Sequence, residues 1–122
     1  MPRFMVMIKG NANSEAGIHP SEQVQEQMGA YNEELVKAGI RLAAEGLEPS
    51  SKGARVTFSH GNATVIDGPF TEAKEAVGGF WILQCRSLDE CLEWVKRVPV
   101  EALPGGTDVH QVDVLQIIDW QP

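Results

Sequence analysis

The stretch GFWILQCRSLDECLEWV, residues 79–95, reads as a strand followed at once by a helix, and this order decides the fold. Four apolar residues in succession, 80–83, make both faces of the predicted strand 79–85 apolar, which is typical of a strand covered on two sides. Ser87 and Glu90 have the spacing of a capping box, in which the two residues satisfy each other's backbone donors at a helix start. The predicted buried face of this helix consists of Leu88, Cys91, Leu92 and Val95, and Pro99 lies just beyond its end.

A similar strand and helix open the chain. The strand predicted at residues 4–9 is apolar at five successive positions, so both of its faces are apolar as well. Ser21 is the predicted N-cap of a helix over 21–38, with Glu22 in the first turn, where the helix dipole favours an acid, and Gly39 as the stop. One apolar stripe along this helix is formed by Val24, Met28, Tyr31 and Leu35.

The remaining elements complete two strand–helix–strand units around a hairpin. Residues 40–47 are predicted to form a strand, residues 55–66 a hairpin that turns at Gly61-Asn62, and residues 109–118 the last strand. This arrangement predicts an α+β fold of the ferredoxin-like type. It has an antiparallel sheet with two helices on one face and an inserted β-hairpin.

Strands that are apolar on both faces need other parts of the protein to bury both of those faces. Two helices can cover one face of a sheet, yet two of the predicted strands are apolar on both faces. A second copy that packs its sheet against the open face would bury the excess, so we expect a homodimer in the form of a dimeric α/β barrel. Whichever of Phe80 and Trp81 faces away from the helices is then expected in the dimer interface, because adjacent strand residues point to opposite sides.

Length, charge and composition exclude several classes of function. A chain of 122 residues predicts one domain with an ordinary hydrophobic core. Its net charge of −7, with acids and bases interspersed, disfavours nucleic acid as a partner. The N-terminus MPRFMVMIKGN has too short an apolar run for a signal peptide or a membrane span, so we expect a cytoplasmic protein without a membrane partner. Cys85 and Cys91 lack the spacing of a zinc or redox pair and are expected to be reduced, buried thiols.

The segment DGPFTEAKE, residues 67–75, is followed by GGFWIL and preceded by AEGLEP. These residues resemble the signature of the DGPF proteins, a branch of the YCII-related family whose core motif is close to DGPFAETKE. The resemblance covers nearly the whole chain, from Phe4 to Ile118. It implies a single YCII-related (DGPF) domain over residues 1–122, with the fold of a dimeric ferredoxin-like barrel.

The resemblance implies less about function than about fold. Most DGPF members have no established activity, and their genes often neighbour those of extracytoplasmic-function sigma factors, which implies a regulatory link. Some YCII-related relatives are small-molecule lyases that pair a His on the first helix with an Asp near the sheet. The helix predicted at 21–38 contains no His, and His19 lies just before it, so the resemblance does not carry this chemistry over.

The motif's aspartate cannot form the usual side-chain turn. An Asp in a turn commonly accepts a hydrogen bond from the N–H two residues on, but Asp67 is followed there by Pro69, which has no N–H. We therefore expect Asp67 to accept hydrogen bonds from the N–H of Phe70 or Thr71, or to pair with Lys74. The Gly-Pro step predicts a turn of type II′ or one with a cis peptide.

The charged residues of the motif are the candidate site. Asp67 and Lys74 are the candidate catalytic residues, because carboxylate and ammonium groups perform acid–base work when burial shifts their pKa values. The alternative for Glu72 and Glu75 is a solvated loop, and Glu45 either pairs with Lys74 or Arg41 or points at water. The full set of candidate ligand-binding residues is Glu45, Asp67, Glu72, Lys74 and Glu75.

Neither a metal nor a cofactor is expected. The three histidines, His19, His60 and His110, do not have metal-ligand spacing, and the glycines do not form a nucleotide-binding motif. Two hypotheses follow. The protein binds a small polar molecule beside the DGPF motif, with lyase- or isomerase-like chemistry as one form of this function. Alternatively, it is a non-catalytic regulatory or interaction protein linked to an extracytoplasmic-function sigma factor.

Overall fold

The computed structural model describes residues 1–17, 21–103 and 109–120. The strands and helices in chain order are β1 (Arg3–Lys9), α1 (Ala12–Glu15), α2 (Glu22–Lys37), β2 (Arg41–Gly46), β3 (Ala54–Ser59), β4 (Asn62–Asp67), β5 (Val77–Gln84), α3 (Leu88–Val95) and β6 (Val112–Gln116). Three short 3-10 turns lie at Ser50–Lys52, Ala73–Glu75 and Val100–Ala102.

Four of the strands form one antiparallel sheet in the order β2-β5-β1-β6, and β3 and β4 pair with each other as a separate hairpin. Strands β1 and β5 occupy the centre of the sheet, which is why their sequences are apolar at nearly every position. The predicted α+β fold with an antiparallel sheet and two helices is confirmed and is consistent with a ferredoxin-like fold. The dimer and the barrel stay predictions.

The register of the central strands shows which side chains face the helices. Val6 lies opposite Trp81, and both are buried, whereas Met7 lies opposite Phe80, and both are half-buried on the other side of the sheet. Trp81 therefore faces the helices, and Phe80 faces away from them. We call the second side the open face; its apolar side chains are Met5, Met7, Phe80, Ile82 and Leu115.

The core is organised around Trp81. Its ring meets Tyr31 of α2 edge to face, with ring centroids 5.6 Å apart, and its Nε1 donates a hydrogen bond of 2.8 Å to Asn32 Oδ1. Tyr31 Oη in turn donates a hydrogen bond of 2.8 Å to the carbonyl oxygen of Trp94 in α3. Both helices are thereby fixed to the central strand β5 through buried aromatic side chains whose polar atoms are satisfied.

The predicted caps are present, with one difference. Ser21 accepts a hydrogen bond from Val24 N at 3.3 Å, and Ser87 accepts one from Glu90 N at 3.1 Å. The Glu90 carboxylate, however, accepts hydrogen bonds from the backbone and side chain of Arg86, so the predicted reciprocal bond to Ser87 is wrong. The predicted apolar stripe of α2 is confirmed, since it lies against the sheet.

Two further predictions need correction. Leu88 was predicted to be buried but is 47% exposed, because it opens α3 at the edge of the contact with the sheet. The hairpin turns at His60-Gly61 rather than at Gly61-Asn62. Both turn residues have positive φ, 49° and 81°, as the commonest two-residue hairpin turn requires.

Some elements had weak sequence signals. Helix α1 and the 3-10 turns were not predicted, because segments of three or four residues show no periodicity. The last strand is shorter than predicted and spans Val112–Gln116. His19 lies outside the described residues.

The two cysteines are buried free thiols, as predicted, and both lie in the core. Burial raises the pKa of Cys91 to about 12, and burial likewise raises the pKa of Cys85. Tyr31 behaves in the same way, since burial raises the pKa of its phenol well above 10. The folded protein therefore holds these groups in their neutral forms.

These shifts predict that the protein loses stability in alkaline solution. The unfolded chain releases the Cys91 thiol proton near the ordinary pKa of 9.0, whereas the folded chain retains it up to about 12. The contribution of Cys91 to the free energy of unfolding should therefore be constant below pH 9 and fall as pH rises from 9 towards 12. Urea denaturation across this range measures it. Cys91→Ala should lessen the slope, and an unchanged slope would contradict the assignment to Cys91.

Candidate functional site

The DGPF corner packs directly on the 3-10 turn Ser50–Lys52. The peptide bond between Gly68 and Pro69 is cis, and Gly68 N donates a hydrogen bond of 3.0 Å to Gly53 O. A Cβ atom on Gly68 would lie 1.7 Å from the Ser50 carbonyl oxygen, which is far inside van der Waals contact. The glycine of the motif is therefore required by close backbone approach.

Two further contacts fix this corner. Glu15 accepts hydrogen bonds from both the backbone N and the hydroxyl of Ser50, which ties α1 to the 3-10 turn. The guanidinium of Arg55 lies over the ring of Phe70, with Cζ 4.8 Å from the ring centroid. The corner is thus held from both sides, and the segment that follows it, residues 71–76, starts from a fixed position.

Segment 71–76 is the wall between two clefts. The first cleft has a volume of about 540 Å³ and lies where β1 ends and β6 begins. We call it the lysine cleft; its polar lining side chains are Lys9, Asn11, Glu72, Lys74, His110 and Gln111. The second cleft has a volume of about 460 Å³, and its polar and aromatic lining residues are Glu15, Glu48, Ser50, Lys52, Arg55, Phe70, Thr71 and Glu75. Both volumes fall in the range of small-molecule sites.

Backbone contacts hold the lysine cleft together. Lys9 N donates to Gln111 O at 2.9 Å, and Gly10 N donates to Ala76 O at 2.6 Å. A Cβ atom on Gly10 would lie 2.8 Å from Ala73 O, so β1 and the 3-10 turn Ala73–Glu75 pack without room for a side chain between them. The walls of the cleft are therefore joined by main-chain groups.

Each lysine of the lysine cleft lies beside a carboxylate. The Lys9 side chain is only 19% exposed, and its ammonium donates to Glu75 O at 3.1 Å and lies 3.9 Å from Asp113 Oδ2. The Lys74 ammonium lies 3.9 Å from Glu72 Oε2, and both of these side chains are largely exposed. The ammonium of Lys9 is therefore held in place, whereas Lys74 is free to turn.

The structure separates the residues that the sequence predicted as one site. Glu72 and Lys74 line the lysine cleft, and Glu75 lines the second cleft. Asp67 is exposed at the base of the hairpin, and Glu45 is exposed opposite Phe80 on the open face. Within the described ranges, Glu45 has no ion pair, which agrees with the alternative that it points at water.

The bonds predicted for Asp67 are not formed in the described part of a single chain. Lys74 is nearest to Glu72, and neither Phe70 nor Thr71 donates a backbone hydrogen bond to the Asp67 carboxylate. The physical reason is the position of Asp67 at the end of β4, where it lies opposite Ala54 in the ladder. Opposite residues in a ladder point to the same side, so its side chain follows the hairpin rather than the corner.

Sequence reasoning missed Lys9, Asn11 and His110. Lys9 ends the apolar strand β1 as a charge and was interpreted as a strand end, and His110 was interpreted as a residue at a strand edge. These residues come together because antiparallel pairing puts the end of β1 beside the start of β6. Among the residues that the structure describes, no group of three or more potential ligands could hold a metal ion. None of the described helices is long and apolar enough to cross a membrane.

A profile of the YCII-related domain matches residues 2–118. The chain belongs to the YCII-related family. The matched range takes in both clefts and the whole sheet. Membership of the DGPF branch stays a prediction that depends on the motif itself.

Comparison with individual proteins adds two findings. This YCII-related chain is 36% identical over 75 residues to an uncharacterized protein of Rhizobium meliloti; the match spans 62% of the chain and 60% of that relative's length. A structure of 5-chloro-2-hydroxyhydroquinone dehydrochlorinase from Burkholderia phenoliruptrix, in complex with 2,5-dihydroxybenzoquinone, aligns over 91% of this chain and 90% of that one. Its TM-score is 0.44 at 19% sequence identity, a level of similarity that says nothing about the chemistry of this chain.

The close approach at the corner predicts a specific cost for filling it. Gly68→Ala should lower the free energy of unfolding by about 2 kcal/mol or more, because the Ser50 backbone must move away from the new methyl group. Gly29→Ala is the matched control: nothing lies within 4 Å of its Cβ position in α2, so the helix should gain about 0.5–1 kcal/mol. Urea denaturation measures both. Equal effects of the two substitutions would show that the corner is not closely packed.

Proposed function

We propose that this YCII-related protein binds a small polar molecule that carries an anionic group, and that it does so in the lysine cleft. The observation that carries the proposal is the partly buried ammonium of Lys9, held at the inner wall of a cleft of about 540 Å³. Lys74 lines the same cleft beside Glu72, and Asp113 lies 3.9 Å from the Lys9 ammonium. Two ammonium groups and two carboxylates therefore balance here, and an anion would bind through the positions of the Lys9 and Lys74 ammonium groups rather than through a net positive field.

The dimensions and chemistry of the cleft favour a carboxylate or phosphate on a small organic body. An ammonium binds such a group as a point charge, and charge-assisted hydrogen bonds are the strongest that a protein offers a ligand. The amides of Asn11 and Gln111 would supply neutral donors and acceptors beside the charge. Apolar lining from Ala73 and Val109 would contact the rest of the molecule.

Lyase- or isomerase-like chemistry in this cleft is a further part of the proposal. Lys74 and Glu72 stand 3.9 Å apart on one wall and would act as the acid–base pair, since a neighbouring ammonium and carboxylate can pass a proton to and from a bound molecule. Asp67 and Glu45 lie outside the cleft in a single chain, so the proposal assigns them no role in catalysis. The alternative of a regulator that acts with an extracytoplasmic-function sigma factor would gain support if no small molecule occupied the cleft.

Ligand screening by NMR tests the proposal. We expect small carboxylates and phosphate monoesters to shift the backbone amides of Gly10, Lys74 and Gln111, and neutral or cationic analogues of the same size to leave them unchanged. Lys74→Ala should then weaken binding by about 10-fold to 100-fold, which corresponds to a charged hydrogen bond of about 1.5–3 kcal/mol.

A second lysine provides the matched control. Lys52 is also exposed and pairs with Glu48 at 3.1 Å, but it lies outside the lysine cleft. Lys52→Ala should leave the affinity unchanged. Equal weakening by both substitutions would mean that the anion binds through net charge alone, and the proposed site would be abandoned.

We also propose that the functional unit is a homodimer that packs through the open face. Phe80 lies at the centre of this face, so Phe80→Asp should convert a species of about twice 13.3 kDa into a monomer, because the dimer would bury an unpaired charge. Leu88→Asp is the control, since Leu88 is exposed on α3, on the other side of the sheet. Sedimentation velocity at micromolar concentration distinguishes the two. A monomeric wild-type protein would contradict the proposal.

A further inference from the structure

The hairpin of β3 and β4 carries an apolar face that the rest of its own chain leaves uncovered. Every residue of both strands is exposed, and the two strands have few contacts with any other element of the described chain. The side chains of Val56, Phe58 and Val65 are 48%, 79% and 64% exposed. The fold of one chain does not explain why these apolar side chains are exposed on a projecting hairpin.

The apolar residues of the hairpin share one side. In the ladder Val56 lies opposite Val65, and Phe58 lies opposite Ala63. Opposite residues point to the same side and alternate along each strand, so these four form one face. We call it the arm face. The other side of the ribbon presents Thr57, Ser59, Asn62 and Thr64, with Ile66 near its base.

This segregation indicates that one side of the ribbon meets a protein surface and the other meets water. A two-stranded hairpin alone is marginally stable in water, so an exposed Phe and two exposed Val residues on it would favour fraying or aggregation. The polar side has the alternate Thr and Ser residues of a solvated strand face. This pattern is typical of a sheet with one buried face, but no described part of the single chain buries the arm face.

We propose that the hairpin is an arm whose apolar face packs on a second copy of this chain, extending the dimer contact of the open face. This inference depends on the proposed homodimer. The same chain has two uncovered apolar surfaces, the open face and the arm face. A two-fold axis presents both surfaces of one copy to both surfaces of the other, so a single symmetric contact can cover all four.

The area needed for a stable dimer supports this choice of partner. Four strands spaced by about 4.8 Å, with five to eight residues each, give the open face a plan area of about 400 Å². A stable interface buries about 800 Å² on each partner. The two six-residue strands of the arm face add about 200 Å², so the arm supplies a large part of what the sheet lacks.

The charge distribution is also compatible with a copy of the same chain. Two copies of net charge −7 repel each other, and the open face already carries Glu45 opposite Phe80 and Asp113 opposite Met7, so an added contact without carboxylates favours the dimer. From Val56 to Ile66 the hairpin contains neither an acid nor a Lys or Arg. Its formal charges, Arg55 and Asp67, lie at the base on opposite sides of the ribbon, and Asp67, on the side of the arm face, would sit at the rim of the contact.

Two substitutions on adjacent residues of β3 test the arm. Phe58 lies on the arm face and Thr57 on the polar face, and both are exposed, so an Asp at either position is tolerated by the isolated fold. Phe58→Asp should raise the dimer dissociation constant at least 10-fold, and Thr57→Asp should leave it unchanged. Sedimentation equilibrium gives the constants, and circular dichroism confirms that each variant is folded.

Hydrogen exchange of the wild-type protein gives a second measurement that needs no substitution. Amides of residues 55–66 should exchange more slowly at concentrations where the dimer forms than in dilute solution, since packing on the partner suppresses opening of the ribbon. A dimer that is equally stable in Phe58→Asp and wild type, with hairpin exchange independent of concentration, would overturn the arm while leaving the dimer through the open face intact. A monomeric wild-type protein would overturn both.

Discussion

Trp81 fixes the arrangement of the sheet and the helices α2 and α3, because it joins the central strand β5 to α2 directly and to α3 through Tyr31. Its ring meets Tyr31 edge to face, and the Tyr31 hydroxyl continues the connection to the Trp94 carbonyl in α3. The indole N–H is satisfied by Asn32 of α2. Because these polar atoms are paired, the aromatic cluster can be buried without leaving an unsatisfied donor. Only the face of the sheet that carries Trp81 can therefore pack against the helices.

This choice of side determines what the rest of the chain can do. Since Trp81 and Val6 face the helices, Met7 and Phe80 must face away, and an apolar open face results from the alternation of the strands. The same register determines which strand ends lie side by side. It brings the end of β1, with Lys9, beside the start of β6 and beside the 3-10 turn Ala73–Glu75, and the lysine cleft lies among these three segments.

The two halves of the DGPF motif have different surroundings. In the first half, Gly68 is required because the Ser50 carbonyl oxygen approaches it closely, and the Phe70 ring packs under the Arg55 guanidinium. These two contacts fix the corner. The second half, from Thr71 onward, forms the wall shared by two clefts. The motif thus fixes the backbone of the segment that carries Lys74 by main-chain packing, while the exposed Lys74 side chain stays free to turn.

The sequence by itself determined the elements that depend on local periodicity: the two-sided strands, the apolar stripe of α2, the caps at Ser21 and Ser87, and the hairpin to within one residue. It also determined the family, because the DGPFTEAKE segment lies within a YCII-related match. Tertiary structure alone decided the site. Lys9, Lys74 and His110 are separated by tens of residues and meet only because β1 pairs with β6 on one side and with β5 on the other. When a strand is apolar on both faces, its own sequence does not specify which face meets the helices. That choice depends on residues elsewhere in the chain.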